Sequence, residues 1–235
     1  MDLAASRRRL VLDGLGVTAG AMGFAMVYGL SARAAGFSPL EAMAMSTILF
    51  AGSAQFAAAG SVGAGLAWPA IFVQVASINS RHILYSLALA PYFEDRPRWL
   101  RAIIAHVLTD ESFALSIAHF RRIGRADLRG YWWASLGVVF VPWNAFTLVG
   151  VALGGFLPDP TRIGLDVVFP VAMAGLGLGL IHGRIEIVAA LAGAAVAVAV
   201  GLGFGAFAGV VVGGLVGPVV AIAALRASGR EIHAT

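Results

Sequence analysis

Residues 131–156 read YWWASLGVVFVPWNAFTLVGVALGGF and contain no charged residue. A helix needs about 20 predominantly apolar residues to cross the hydrocarbon core of a bilayer, and this stretch is long enough. An α-helix also satisfies its own backbone hydrogen bonds, which lipid cannot do for it. The stretch therefore predicts a transmembrane helix and places the chain in a membrane.

The composition of the whole chain agrees with this prediction. Hydrophobic residues make up 60% of the 235 positions and charged residues 12%, whereas a soluble domain carries roughly 25% charged residues. So few charges cannot cover a water-exposed surface, so we expect lipid around most of it. The fold class predicted is all-α, a polytopic bundle of membrane helices.

Further segments extend the prediction along the chain. Eight candidate spans are apolar enough to cross a bilayer: 10–30, 39–60, 66–91, 99–120, 131–156, 165–181, 186–200 and 205–225. The first, third and fifth are the clearest. The second is rich in Ala, Ser and Gly, which leaves open a bent or re-entrant segment, and only glycines near 201–205 separate the last two. We expect seven or eight spans in a single integral membrane transporter domain over residues 1–235.

The arginines indicate the orientation. Arg7, Arg8 and Arg9 precede a first apolar run that is longer than the roughly 7–15 residues of a signal peptide, so we expect an uncleaved helix. Gly16 and Gly20 within it suit close packing against another helix. With eight spans, ten arginines fall on the side of the N-terminus and five on the other. The positive-inside rule then predicts a cytoplasmic N-terminus. We expect the protein in the inner (cytoplasmic) membrane.

Some kinds of chemistry are excluded by what the sequence lacks. All 16 basic residues are arginine, so no P-loop lysine exists, and the absence of cysteine excludes thiolate metal sites and thiol catalysis. The arginines lie in short runs between apolar segments, which argues against a nucleic-acid partner. No motif of a known enzyme class is present, so we expect no enzyme, no cofactor and no metal.

Polar residues inside apolar segments are the candidates for function, because charges at bilayer depth are costly and tend to line a pathway. A first cluster comprises Asn79, Arg81 and His82, with Tyr85 one turn later, near the middle of the third span. Arg81 lies too deep to reach water easily. It needs a carboxylate partner from the protein or from a ligand.

Two more clusters lie in neighbouring spans. Asp110 and Glu111 fall in the middle of the fourth span, with His106 four residues before Asp110 on the expected helix face. An acid with a raised pKa beside a histidine suits a proton relay. In the second span, Ser53 and Gln55 follow Gly52, where a local helix break exposes backbone groups that bind solutes in many transporters.

Structural explanations remain open beside these functional ones. An Arg81–Asp110 or Arg81–Glu111 pair can simply lock two helices together, and Gln55 can join helices by a hydrogen bond. A channel or uniporter for another small solute, an intramembrane acid–base enzyme and a purely structural or regulatory subunit also remain open.

Three motifs of the chain resemble those of the AzlC family. These are STILFAGSAQF at 46–56, NSRHILYS at 79–86 and LTDESF at 108–113, in this order and spacing. Ser80 is a mild variation within the second motif. The hydropathy profile agrees over almost the whole chain, although the C-terminal third is similar only in general character.

The resemblance implies the large subunit of a branched-chain amino-acid exporter of the AzlCD or BrnFE type. It implies a secondary transporter that works with a small AzlD-like membrane subunit, and a homo-oligomer stays open. Under this hypothesis Arg81 binds the substrate carboxylate or balances Asp110. Asp110 or Glu111, with His82 or His106, carries a coupling proton. Ser53, Gln55, Asn79 and Tyr85 line the substrate site.

Overall fold

The computed structural model describes residues 2–156 and 183–227, and in these ranges it contains helices and no strand. The predicted all-α class is therefore confirmed. The helices are α1 Leu3–Ala34, α2 Pro39–Ala44, α3 Gly52–Gly63, α4 Trp68–Asn79, α5 Arg81–Phe93, α6 Arg98–His106, α7 Asp110–Ile123, α8 Leu128–Trp132, α9 Val141–Gly154, α10 Arg184–Phe204 and α11 Ala206–Ala227. Two wider π-helical segments, Met45–Leu49 and Trp133–Phe140, continue α2 and α8.

Three continuous helices in the described part of the chain are long and apolar enough to cross a membrane. They are Leu3–Ala34, Leu128–Gly154 and Arg184–Phe204, the second being α8, its π-helical segment and α9 in succession. They correspond to the first, fifth and seventh predicted spans. The predicted division near residues 201–205 is also confirmed, because α10 ends at Phe204 and the next residue, Gly205, has a φ of 91° that interrupts the helix.

Three other predicted spans are interrupted. The second breaks at Phe50 and Ala51, as its composition suggested. The third is interrupted at Ser80, and the fourth at residues 107–109, so the predicted membrane bundle contains broken segments. Hydropathy averages over a window and does not detect such breaks. The sixth predicted span, 165–181, lies outside the described residues.

The chain forms two compact units, Met1–Gly65 with Ile71–Phe169, and Leu66–Ala70 with Pro170–Thr235. The single domain expected over 1–235 stays a prediction. In the second unit α10 and α11 pack as a hairpin in which Gly209 and Gly213 lie against the backbone or side chain of Ala197. Glycine allows this close approach because it has no side chain.

In the first unit α1 and α9 pack against each other at two glycines. A Cβ atom added to Gly29 would clash with the carbonyl oxygen of Thr147, and one added to Gly150 would clash with that of Met26. A Cβ added to Gly16 or Gly20 meets nothing within 4 Å among the described residues, so the packing expected there stays a prediction. Small-residue spacing is common in membrane helices and does not by itself identify the packed face.

An aromatic and aliphatic core supports the ends of α5, α6 and α7. It consists of Leu89, Phe93, Ile104, Val107, Leu108, Phe120 and Tyr131, all buried. The Tyr131 hydroxyl donates a 2.6 Å hydrogen bond to the carbonyl of Ile104 near the end of α6. This contact fixes the segment that leads into the break before Asp110.

The α1–α9 contact gives a test of the fold. Gly150→Ala should lower the free energy of unfolding of the detergent-solubilised protein by about 1–3 kcal/mol, because overpacking forces the two backbones apart. The melting temperature should fall accordingly. Gly20→Ala is the matched control, since it adds the same methyl group to open space on α1. Equal melting temperatures for the two variants would contradict this packing.

Candidate functional site

Each of the three sequence motifs lies at an interruption of a helix. The first surrounds Phe50, the second surrounds Ser80, and the third spans the link from α6 to α7. A break at bilayer depth exposes backbone N–H and C=O groups that need new partners. Such breaks are therefore retained where the backbone lines a cavity or is buried in protein.

The first break is held by Phe50. Its backbone is left-handed (φ 38°, ψ 53°). Among the described residues, Phe50 is the one non-glycine with a positive φ. Its ring is buried, 4.7 Å from that of Phe140 between centroids, in an edge-on arrangement. A non-glycine residue in this region costs on the order of 1–3 kcal/mol and persists where the surroundings enforce it, often at functional sites.

Arg81 joins the three motifs. Its Nη1 lies 2.8 Å from Oδ2 of Asp110, the first residue of α7, and its Nη2 donates a 2.6 Å hydrogen bond to Ser53 Oγ in the first turn of α3. The predicted carboxylate partner of Arg81 is thus Asp110. Both side chains are half-buried, with exposed fractions of 34% for Arg81 and 40% for Asp110.

The same pair keeps unused hydrogen-bonding capacity. Arg81 Nε and Asp110 Oδ1 are buried atoms without a hydrogen-bond partner among the described residues, and so is Oδ1 of Asn79. Buried polar atoms are nearly always paired in proteins, so each exception needs an explanation. Within the described residues, this ion pair therefore carries one further donor and one further acceptor, and the Tyr85 hydroxyl also lies near the Asp110 carboxylate.

The geometry of Asp110 and its neighbours follows from the start of α7. Thr109 and Ser112 form a reciprocal capping box in which each side chain accepts a hydrogen bond from the other's backbone N–H. The predicted shared helix face of His106 and Asp110 was wrong, because α6 ends at His106 and a new helix starts at Asp110. Glu111 is exposed, with no ion pair to any described residue.

His106 instead connects two broken helices. Its Nε2 lies 3.0 Å from the carbonyl oxygen of Thr47, which belongs to the π-helical segment just before the first break. A carbonyl only accepts hydrogen bonds, so this nitrogen carries the proton. The histidine therefore satisfies a carbonyl that the interruption at Phe50 leaves without its helical partner.

His82 and Tyr85 lie on α5 beside Arg81. Nδ1 of His82 lies 3.1 Å from the carbonyl oxygen of Asn79, and the rings of His82 and Tyr85 meet edge-on at 5.8 Å. Tyr85 stacks on Phe113 of α7 with centroids 4.6 Å apart and an interplanar angle of 17°. This stack forms an aromatic contact between the two helices that carry Arg81 and Asp110.

Gln55 lies one turn into α3 and is fully buried. Neither amide atom makes a well-formed hydrogen bond within the described residues, although the amide lies near the Tyr28 hydroxyl. Near it, Trp143 of α9 packs over Gly52, where an added Cβ would lie 2.8 Å from the indole ring. The Gln55 amide therefore adds a second donor and acceptor without a hydrogen-bond partner among the described residues, in the helix that follows the first break.

A separate polar cluster escaped the sequence analysis. Arg7 and Arg122 were interpreted as topology signals, while Ser6, His119 and Asp127 were not considered. The structure joins them across more than 110 residues of sequence. The one sequence signal was a histidine, His119, within a predicted apolar span, because no sequence spacing reveals a contact between the ends of distant helices.

The comparisons with known proteins can now be set beside this geometry. The model of the AzlC family, described as AzlC protein, matches residues 16–157, more than half of the chain. The chain belongs to the AzlC family. The match includes all three motifs and ends before the C-terminal third, where the resemblance was expected to be weak.

Two relatives extend the comparison. An inner membrane protein of Escherichia coli K12, YgaZ, is 30% identical over 169 residues, which cover 72% of this chain and 66%, slightly less than two thirds, of YgaZ. An uncharacterised membrane protein of Archaeoglobus fulgidus is 33% identical over 201 residues, which cover 83% of this chain and 85% of the archaeal protein. This AzlC protein is accordingly a membrane protein. No solved structure matches the chain.

The ion pair of this AzlC protein gives a stability test. Arg81→Gln and Asp110→Asn should each lower the melting temperature, and the double variant should lose less than the sum. The coupling expected for a half-exposed pair is up to about 1 kcal/mol. Arg81→Gln with Glu111→Gln is the control cycle, since Glu111 makes no ion pair with any residue that the structure describes, and it should be additive. Equal coupling in both cycles would contradict the pairing described.

Proposed function

We propose that this AzlC protein exports branched-chain or other small apolar amino acids across the cytoplasmic membrane. It would act as the large subunit of a secondary transporter. The observation that supports this most is the Arg81–Asp110 pair, held between interrupted helices with one unpaired polar atom on each side chain. Family membership agrees with a transporter role.

The pair has the charges needed for an amino-acid zwitterion. The free Nε of Arg81 is a donor for the substrate carboxylate, and the free Oδ1 of Asp110 is an acceptor for the ammonium group. Ser53, which already contacts Arg81, places the start of α3 beside the carboxylate position, where the positive end of a helix dipole favours an anion. The Tyr85–Phe113 stack offers an apolar wall for an aliphatic side chain.

Proton coupling would act through competition for Asp110. The ammonium group of the substrate needs the ionised carboxylate, so a proton on Asp110 removes its partner. Substrate and proton would therefore occupy the site in turn, as export driven by inward proton movement requires. His106 and His82 already donate to or contact backbone carbonyls at the breaks and would pass protons toward it.

Several further features belong to the same proposal. The N-terminus would lie in the cytoplasm of a cell whose inner membrane holds the protein. A small AzlD-like membrane subunit would complete the transporter, and self-association of the large subunit is compatible with it. Gln55 and Asn79, both with unpaired side-chain atoms, would orient the substrate.

The function is tested by counterflow of labelled leucine in proteoliposomes, with and without the small subunit. We expect export driven by an imposed pH gradient, and Asp110→Asn should abolish the dependence on pH while leaving the protein folded. Its isosteric amide cannot exchange a proton but still accepts a hydrogen bond.

The neighbouring substitution Glu111→Gln is the matched comparison. It removes an adjacent acid that has no ion pair within residues 2–156 and 183–227, and it should leave the pH dependence in place. If Glu111→Gln abolishes the coupling and Asp110→Asn does not, the proton site is Glu111. Absence of amino-acid counterflow in the wild-type two-subunit complex would refute the proposed function, and flux independent of the pH gradient would indicate a channel or uniporter.

A further inference from the structure

The polar cluster missed by the sequence analysis lies at one end of the first unit, away from the motif residues in sequence. It brings together the beginning of α1, the last turns of α7 and the residue that precedes α8. Its members are Ser6, Arg7, Asp13, His119, Arg122 and Asp127. Ser6 and His119 are fully buried, and Asp127 nearly so.

Arg7 and Asp127 form the central contact of the cluster. Arg7 donates from Nε to Oδ2 at 2.7 Å and from Nη2 to Oδ1 at 2.6 Å, the two-point arrangement that makes arginine–carboxylate pairs strong and directional. The Arg7 guanidinium holds the pKa of the Asp127 carboxyl well below its usual range, since it hydrogen-bonds the charged form. Asp127 is therefore anionic at neutral pH.

His119 and Ser6 extend the contact into the interior. Nε2 of His119 lies 3.0 Å from Oδ2 of Asp127, so it donates to that anion, and Nδ1 lies 2.8 Å from Ser6 Oγ. Arg122 donates to the same Oγ at 3.3 Å, and its Nη1 lies 3.7 Å from Asp13 of α1. The cluster thus carries two arginines against two aspartates around one buried imidazole.

The packing around these groups is tight. A Cβ atom added to Gly130 would lie 2.8 Å from His119 Nε2 and 2.9 Å from Asp127 Oδ2. Nothing larger than glycine fits at this position without displacing the imidazole or the carboxylate. The three chain segments are therefore closed against one another here.

A single helix connects this cluster to the motif residues. Asp110 is the first residue of α7, and His119 lies nine residues later, about 13 Å along the axis at 1.5 Å per residue. A helix moves as a rigid rod over such a length, and packed interfaces have discrete arrangements rather than continuous ones. Any tilt of α7 that follows binding at Asp110 must strain or release the contacts at its other end.

We propose that the Ser6–Arg7–Asp13–His119–Arg122–Asp127 cluster is a gate that closes the transport path on the side of the α1 N-terminus. This inference rests on the proposed transport function. Closed, it ties α1 to α7 and to the start of α8. Opening requires Arg7 to leave Asp127 so that the end of α7 separates from α1.

The test uses the lack of cysteine in the chain, which makes single reporters specific. Ser116→Cys places a thiol on α7 one turn before His119, at a fully buried position whose hydroxyl has no hydrogen-bond partner among the described residues. A membrane-impermeant maleimide is applied to oriented vesicles from each side in turn. With Arg7→Gln added, labelling from the side of the α1 N-terminus should become about tenfold faster, a shift that corresponds to about 1.4 kcal/mol.

A second reporter separates a gate from a structural clamp. Glu111→Cys marks the other end of α7, and alternating access requires that opening one side closes the other. Arg7→Gln should therefore slow labelling of Glu111→Cys from the opposite side, whereas loosening of a mere clamp would not. Arg8→Gln is the matched control: it removes the same charge one residue away, from an exposed arginine that makes no ion pair with any residue of 2–156 or 183–227, and should change neither rate.

Asp127→Asn provides an independent variant if Arg7→Gln fails to fold, because it removes the charge that both Arg7 and His119 contact. Unchanged labelling in folded Arg7→Gln and Asp127→Asn proteins would overturn the gate. So would faster labelling of both reporters from both sides. Labelling needs no transported solute, so a wild-type protein that moves no amino acid would refute the proposed function without altering the labelling result.

Discussion

The structure depends on one constraint, the requirement that backbone N–H and C=O groups in a bilayer find partners within the protein. A continuous helix satisfies it without help, as α1 and α10 do. This AzlC protein departs from it at Phe50, Ser80 and residues 107–109. There, side chains take over the missing hydrogen bonds. His106 satisfies the Thr47 carbonyl, and the Thr109–Ser112 capping box begins α7.

The same constraint explains why the polar side chains of the motifs are grouped. Each break leaves backbone groups in the interior without their helical hydrogen bonds, so a polar side chain must lie opposite them. Arg81 contacts both Ser53 and Asp110, so one guanidinium joins the starts of α3 and α7 to α5. The atoms left over after this bonding, Arg81 Nε and Asp110 Oδ1, are those that the proposed substrate would use.

The sequence predicted the helical class, the family and the proximity of Arg81 to an acid. Hydropathy and the three motifs can be read from short stretches of sequence, and an isolated charge at bilayer depth requires a partner. It did not predict the breaks at Ser80 and 107–109, since hydropathy averages over a window and the interruption depends on contacts from other helices. It also missed His119 and Asp127, whose pairing with Ser6 and Arg7 joins residues more than 110 positions apart. Conversely, Gly16 and Gly20 matched a packing pattern that the structure assigns to Gly29 and Gly150.

The length of α1 has a consequence for the surroundings of the protein. Its 32 residues extend about 48 Å at 1.5 Å per residue, well beyond the roughly 30 Å of a typical hydrocarbon core. A helix that exceeds the membrane thickness tilts or projects, at a cost of fractions of a kcal/mol per Å of mismatch. Ser6, Arg7 and Asp13 lie in the first turns of this helix. A thinner or thicker bilayer that tilts the helix therefore changes the angle at which they contact His119, Asp127 and Arg122. The acyl-chain length of the surrounding lipid thereby affects these contacts through the tilt of α1, without any lipid binding to them.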